Sequence, residues 1–332
     1  MSPMKIPFYK RTWTNEEVAA VTDCLKSGLL TQGRLVEEFE EAFKNYVGSK
    51  FAIAVNSCTS ALFLCLSLLK PKTAGIPSMT FASVASSILQ SGAKLLWRDE
   101  SWSGARYPLH LKGAKPGRIY DSAHSIHRGD AKNCRNDLIC YSFFPTKNLS
   151  SAEGGMIATN NKKYAEWLKK ARWHARVGKT WDYVIEFPAW KMNMTNIQAA
   201  IGLDYLKRLD AENKKRQELV DKYNMMFDAS IRSDHIYQTI VNKRDEFAAF
   251  MADNGVECSV HFKPLHLQPA FKKYSKTLRK TEHFAMHIVS LPLFPSLKEE
   301  DVDYICGLVK GWNKKYPLPE EDFAEFEDFL RQ

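Results

Sequence analysis

The chain has 332 residues, which suggests about two domains at roughly 100–200 residues each and leaves room for a sizeable buried core. Hydrophobic residues make up 45% and charged residues 26%, the proportions of a folded globular protein rather than a disordered one. The net charge of +9 suits a nucleic acid, an acidic membrane surface or a small anionic substrate, and no helix-turn-helix, zinc-finger or RNA-binding signature selects the first.

The seven cysteines are odd in number, form no CxxC pair and fall partly inside apolar runs. They read as buried free thiols of a reducing compartment, not as a disulfide frame or a zinc site. The start, Met1–Phe8, lacks the apolar core of a signal peptide, and no uncharged apolar run approaches the ~18 residues that span a bilayer. Together these features predict a cytoplasmic protein that neither crosses a membrane nor binds nucleic acid.

Thr14-Asn-Glu-Glu has the cap residue and following acid of a helix start, and the helix runs to about Ser27. Arg34–Tyr46 carries Val36, Phe39 and Phe43 on one face, continued by Val47, as a second helix. Phe51–Val55 reads as a buried strand, followed by the polar turn Asn56–Ser60 and the apolar helix Ala61–Leu69. Gly75–Pro77 and Ala93–Trp97 are further strands, with a helix from about Ser83 to Ser91 between them. Gly117–Tyr120 ends in Asp121, Leu138–Phe144 is another strand, and Met156–Thr159 follows a Gly-Gly pair. One long helix covers Asn196 to about Phe227, the remainder mixes short strands and helices, and the acidic Pro317–Gln332 reads as a surface helix. Strands alternating with helices over the first two hundred residues predict an α/β sheet covered on both faces. A large domain spans residues 1–205, its N-terminal segment packing on a small C-terminal α+β domain of residues 206–332.

Four features point to one chemistry. Lys147 lies just past a strand, in a loop with Pro145 and before Glu153-Gly154-Gly155, where an amine can form a Schiff base if its surroundings lower its pKa. Asp121, at a strand end, can pair with a protonated pyridine nitrogen, and His124 three residues on can touch a ring oxygen. Ser57, Thr59 and Ser60 at the start of a helix, with Ser142, offer amides and hydroxyls to a phosphate. Phe81 can stack on a planar ring. Each also has an ordinary structural reading: a surface lysine, a turn-forming aspartate, a buried histidine, a helix cap, a core phenylalanine.

Taken together, Ser142-Phe-Phe-Pro-Thr-Lys-Asn-Leu149 with Glu153-Gly-Gly resembles the cofactor-lysine signature of the DegT–DnrJ–StrS sugar aminotransferases. Asp121-Ser-Ala-His124 is similar to that family's pyridine-pairing motif. Asn56–Leu62 resembles its phosphate turn, with Cys58 where glycine is usual. Ile197-Gln-Ala-Ala200, His261–His266 and Leu291–Pro295 follow in family order over nearly the whole chain. The resemblance implies a fold-type-I transferase with a mainly parallel seven-stranded sheet and pyridoxal 5′-phosphate, alternating with pyridoxamine 5′-phosphate, as cofactor. It implies that Lys147 forms the internal aldimine and moves the proton between the substrate carbon and C4′ of the cofactor. Asp121 would hold the pyridinium, His124 the ring oxygen, Phe81 the ring face, and Ser57, Cys58, Thr59, Ser60, Ser142 and Asn148 the remaining cofactor contacts. His266 and Asn193 would face the substrate. The reaction would move an amino group from an amino acid, typically glutamate, to a nucleotide-linked keto-deoxysugar, in a homodimer with shared active sites.

The chain departs from the pattern at Ala189–Met194, where Lys191 stands at the position of an asparagine that reaches the partner's cofactor phosphate, and Asn193 at that of an arginine. A lysine can serve a phosphate as a point charge. The helix that normally precedes Asp121 is missing and Arg232–Lys243 is trimmed. Two other readings are a sugar dehydratase of the same family, whose lysine is replaced by histidine, and a non-catalytic binding protein that keeps the fold.

Overall fold

The computed structural model describes residues 6–101, 106–231 and 233–331; the residues before Ile6 and Arg232 of the trimmed stretch lie outside them. Helix α1 (Asn15–Ser27) begins with a reciprocal capping box, Thr14 Oγ1 accepting from Glu17 N and the Glu17 carboxylate from Thr14 N. Helix α2 (Arg34–Val47) buries Val36, Phe39, Phe43 and Val47, as its spacing dictates. The chain continues through β1 (Phe51–Val55), α3 (Cys58–Leu69), β2 (Thr73–Pro77), α4 (Ala82–Gln90) and β3 (Lys94–Arg98). Next come β4 (Tyr107–Pro108), β5 (His110–Lys112), β6 (Ile119–Asp121), β7 (Leu138–Ser142), β8 (Gly155–Thr159) and α5 (Lys162–Ala171). An unanticipated hairpin follows, β9 (Arg176–Lys179) and β10 (Asp182–Ile185), then α6 (Asn196–Phe227). The remainder holds β11 (Tyr237–Ile240), α7 (Arg244–Asp253), α8 (Arg279–Ala285), β12 (Ile288–Leu291), α9 (Glu299–Lys315) and α10 (Glu320–Arg331).

The single mainly parallel sheet of seven strands is corrected. The strands form a five-stranded sheet, β1-β8-β7-β6-β4, and a three-stranded one, β3-β2-β5. Within them only β6 with β7 and β2 with β3 pair in parallel. The cause is the short connection from Arg98 to Ile119. A parallel strand needs a crossover of a dozen or more residues on each side, and this stretch cannot supply two. Instead residues 107–112 enter reversed. Tyr107 faces Asp121 and Leu109 N donates to Ile119 O at 2.8 Å, after which His110 and Lys112 pair with Gly75 and Thr73 of β2. This run joins the two sheets, and β1, β7, β6, β2 and β3 still share one direction.

Helices cover both faces of the five-stranded sheet. Leu62 and Leu66 of α3, Ile88 of α4 and Leu168 of α5 pack with Ile53, Ile76 and Ile157. On the other face Phe39 and Phe43 of α2 and Ala199 and Leu209 of α6 pack with Ala54, Tyr141 and Met156. Helix α6 runs unbroken through the expected boundary at residue 205 and contributes Leu219, Val220 and Tyr223 to a further core with Tyr237, Phe247, Val289 and Ile305. Ile6 joins that core and bridges Val256, so the N-terminal segment packs on the C-terminal part. All seven cysteines are free and six are buried. Among the described residues no His/Cys/Asp/Glu group can hold a metal ion, and no helix is long and apolar enough to cross a membrane.

The acidic C-terminal surface helix is found as α10, with one side packed down. Its outer side is acidic, but Phe326 and Phe329 are buried against Phe284, with ring centroids 5.5 and 4.9 Å away, so α10 is docked rather than lying loose on the surface. Removing a buried aromatic ring costs about 3–5 kcal/mol. Phe329→Ala is therefore expected to lower the urea-unfolding midpoint markedly; an unchanged midpoint would show that α10 contributes nothing to the fold.

Candidate active site

The C-terminal ends of β1, β6 and β7 open into one cavity of about 510 Å³, the usual place for a ligand in an open α/β sheet. After β7 the chain forms a turn closed by Phe143 N to Gly154 O at 2.9 Å and Ser151 N to Phe143 O at 3.0 Å. Lys147 sits on this turn, its N–H donating to Phe144 O at 2.9 Å and its side chain lining the cavity. Burial lowers its pKa to about 8, although nearby Asp121 pulls the other way. Asp121 at the end of β6 accepts from Ala123 N at 3.0 Å. Burial raises its pKa to about 6, opposed by the Ala123 N–H and by Lys147. At neutral pH the amine thus has an accessible free-base form and the carboxylate is ionised.

His124, His235 and His261 line the same cavity, His124 meeting His235 edge-on at 4.4 Å between centroids and His261 at 6.4 Å. Burial and the Lys147 charge keep all three imidazoles neutral, His261 at about 4 and the others well below the ordinary value.

The α3 start is built to receive an anion. Ser57 caps the helix by accepting from Ser60 N at 3.1 Å, so the amides of Cys58 and Thr59, which have no intrahelical acceptor, face outward with the Thr59 hydroxyl. The turn rests directly on Gly155 of β8, where an added Cβ would lie 2.6 Å from Ser57 C and 2.7 Å from Cys58 N. Phe81, at the start of α4, is 60% exposed and presents its ring to the cavity, 6.0 Å from Phe262. An anion-binding helix start, a free aromatic face, a carboxylate and a near-neutral amine fit a pyridine ring that bears an aldehyde and a phosphate.

The structure thus brings Ser57, Cys58, Thr59, Phe81, Asp121, His124, Ser142 and Lys147 together around one cavity. It places the other expected residues elsewhere. Asn148 turns away, its Nδ2 donating to Asn213 Oδ1 and Asp234 O, both at 3.1 Å, so it ties the lysine turn to α6. Ser60 does not line the cavity; its hydroxyl donates to Asn56 Oδ1 at 2.7 Å. His266 is buried between Ser78 Oγ at 2.6 Å and Glu282 Oε1 at 3.1 Å, with both ring nitrogens engaged and the residue outside the cavity lining. Asn193 is buried too, donating to Met194 O and accepting from Lys191 Nζ at 2.5 Å. Lys191 is exposed and lies outside its own chain's cavity. His235, Tyr9, Ser259 and Phe262 line the cavity without having been singled out. His261 and Phe262 stand in the motif His261–His266, which was available as a signal, whereas the lone His235 offers none.

A carboxylate facing an amine that can lose its proton near neutrality, beside a seat for phosphate, is the apparatus of a pyridoxal-phosphate transaminase. The DegT/DnrJ/EryC1/StrS aminotransferase family matches residues 11–100 and 119–310, and the chain belongs to it. The unmatched interval coincides with the reversed run of residues 107–112. The spore coat polysaccharide biosynthesis protein SpsC of Bacillus subtilis (strain 168) is 30% identical over 89% of this chain and 94% of its own. The uncharacterised protein MJ1066 of Methanocaldococcus jannaschii is 31% identical over 92% and 97%. Among solved structures, the putative sugar aminotransferase Spr1654 of Streptococcus pneumoniae superposes with a TM-score of 0.83 at 25% identity, covering 93% of this chain and 98% of that one in its pyridoxamine-phosphate form. It has also been solved in the pyridoxal-phosphate form. The protein is a fold-type-I, pyridoxal-phosphate-dependent aminotransferase of a sugar-aminotransferase family.

Two outcomes follow from the geometry. The amine reacts only as the free base, so the rate at which apo-protein captures pyridoxal phosphate should rise about tenfold per pH unit below pH 8 and level off above it, as followed by stopped-flow absorbance. A rate that kept climbing past pH 9.5 would mean an amine with an ordinary pKa. Gly155→Ala must displace the phosphate turn, and at the ~1–3 kcal/mol of an overpacked site the cofactor dissociation constant should rise at least about tenfold.

Proposed function

We propose that this aminotransferase moves an amino group from an amino acid, glutamate in the first instance, to a keto-deoxysugar carried on a nucleotide. The observation that carries the reading is the shared cavity of Lys147, Asp121 and the α3 start. Two relatives support the sugar: one bears a spore coat polysaccharide biosynthesis name, the other that of a putative sugar aminotransferase. Tyr9, Ser259 and His261 add a phenol, a hydroxyl and an imidazole to the wall, groups that suit sugar hydroxyls. A cytoplasmic location fits the free thiols.

Bound pyridoxal phosphate supplies an electron sink and a carrier for the amino group. The residues do the rest. The amides of Cys58 and Thr59, with the hydroxyls of Thr59 and Ser142, would hold the phosphate, Asp121 the pyridine nitrogen and Phe81 one ring face. Lys147 Nζ, held near neutrality by burial, accepts and returns a proton. His124, kept uncharged, can hydrogen-bond a ring oxygen without competing with Lys147 for a positive charge.

The working unit of this proposal is a homodimer with shared sites, each chain a large domain of residues 1–205 and a small one of residues 206–332 joined through α6. Two features support the dimer. The β9–β10 hairpin exposes Trp181 (81%), Tyr183, Val184 and Ile185, an apolar surface of the kind that contacts a partner. Lys191, exposed beside Trp173 with its ammonium held by Asn193, would complete the partner's phosphate site.

Purified protein is expected to show a visible absorption band that glutamate bleaches while 2-oxoglutarate forms, and Lys147→Ala should lose both. A protein that holds pyridoxal phosphate yet leaves glutamate unchanged would remove the donor assignment. Light scattering should give twice the 38.0 kDa chain mass, and Lys191→Ala should weaken cofactor retention without abolishing the band. Unaltered retention in that variant would mean that Lys191 does not reach a phosphate.

A further inference from the structure

The surplus of positive charge is not spread evenly. No Asp or Glu occurs between Glu41 and Asp99, none between Glu257 and Glu282, and only Asp99 and Glu100 lie between Glu41 and Asp121. The fold brings these stretches together at the edge of the β3–β2–β5 sheet. Thr73 of β2 pairs with Lys94 on one side and Lys112 on the other, so the two lysines share a face about 10 Å apart, two strand spacings. Leu96 and Arg98 of β3 and His110 of β5 continue that face, all of them exposed. Lys273 and Lys276 rise beside it and close a trough of about 470 Å³ that has no carboxylate in its lining. Lys72 and Lys115 flank the same strands in the chain, Lys72 N donating to Lys112 O at 2.9 Å and Lys115 N to Leu69 O at 2.9 Å.

None of Lys72, Lys94, Lys112, Lys115, Lys273 and Lys276 belongs to an ion pair among the described residues, whereas many other lysines do. The one arginine of the face, Arg98, is held by Glu100 at 2.5 Å. An α/β sheet ordinarily carries helices on both faces. Here residues 107–112, within the interval that the family model does not match, form the reversed run. The face is therefore exposed and cationic.

We propose that this face docks the enzyme peripherally on an anionic lipid surface, with a phosphate headgroup seated in the trough and the lysines at its rim facing neighbouring headgroups. Lysine charges on flexible stems suit a diffuse layer of phosphates, whereas paired nucleic-acid contacts favour free arginine forks and repeated aromatic faces. The trough offers neither, since its arginine is engaged and Tyr274 is its only solvent-facing aromatic ring, with Lys273 above it. The exposed Leu96 at the centre of the face adds a small apolar contact. The docking needs no membrane-spanning helix, and none is found among the described residues.

The test is co-sedimentation of the cofactor-loaded protein with vesicles of equal parts phosphatidylglycerol and phosphatidylcholine, set against pure phosphatidylcholine. Binding is expected only to the anionic vesicles and should be released as salt shortens the screening length. The triple variant Lys94→Ala, Lys112→Ala, Lys273→Ala should bind about a hundredfold more weakly, roughly fivefold per lysine. Its visible cofactor band should be unchanged, which reports that the fold is intact. A control that replaces the exposed lysines Lys207 and Lys214 of α6 by alanine should bind as the parent does. Equal binding to both vesicle types, full binding by the triple variant, or binding to duplex DNA in preference to the vesicles would each overturn the proposal.

Discussion

Lys147 can work near neutral pH only while its amine is kept away from water, and much of the surrounding architecture serves that end. The lowering of its pKa from 10.5 to about 8 corresponds to roughly 3 kcal/mol of disfavour for the charged form. The same burial raises Asp121, which in turn keeps Lys147 from falling further. A lysine placed this way on a free loop would swing out to solvent. The turn cannot do so, because Phe143, Ser151 and Gly154 close it by backbone hydrogen bonds and Asn148 ties it to Asn213 in the middle of α6.

Helix α6 consequently does more than pack. Asn213 also donates to Ile126 O, just after the His124 loop, so one asparagine fastens the two loops that carry the amine and the imidazole. Arg216, one turn on and fully buried, holds Asn213 Oδ1 at 3.2 Å. A chain of hydrogen bonds therefore runs from a buried guanidinium through Asn213 to Asn148 of the lysine turn.

Much of this was legible before any coordinates. The span of α6 was read as Asn196 to about Phe227, and the structure has the helix at Asn196–Phe227, opened by a capping box at Thr195. Asp121, His124, Ser142 and Lys147, which the motif grouped, line one cavity, because a strand end fixes where the side chains at and after it go. Asn148, His266 and Asn193 do not line that cavity, and residue type alone does not reveal such a direction. Asn148 and His266 turn toward Asn213 and Glu282, 65 and 16 residues away in sequence, which no local pattern announces, whereas Asn193 pairs with Lys191 only two residues before it. The β9–β10 hairpin was missed because both its faces are solvated, which erases the alternation by which strands are recognised. The reversed run failed to register because segments of two and three residues carry no period at all.

That run also divides the cooperativity of the sheet. Everything that links β2 and β3 to the five-stranded sheet through backbone pairing passes along residues 107–112, which change partner midway and give each neighbour only two or three residues of ladder. Elsewhere β1, β7 and β8 are joined by ladders of four or five residues. The β2–β3 wing is thus a separate opening unit, and its amides should exchange with solvent hydrogen at a lower free energy than those of β7 and β8. The lysine turn hangs from the tighter side of this seam and Phe81 from the looser. Local opening of the wing would release one face of the cofactor pocket while leaving the amine in place.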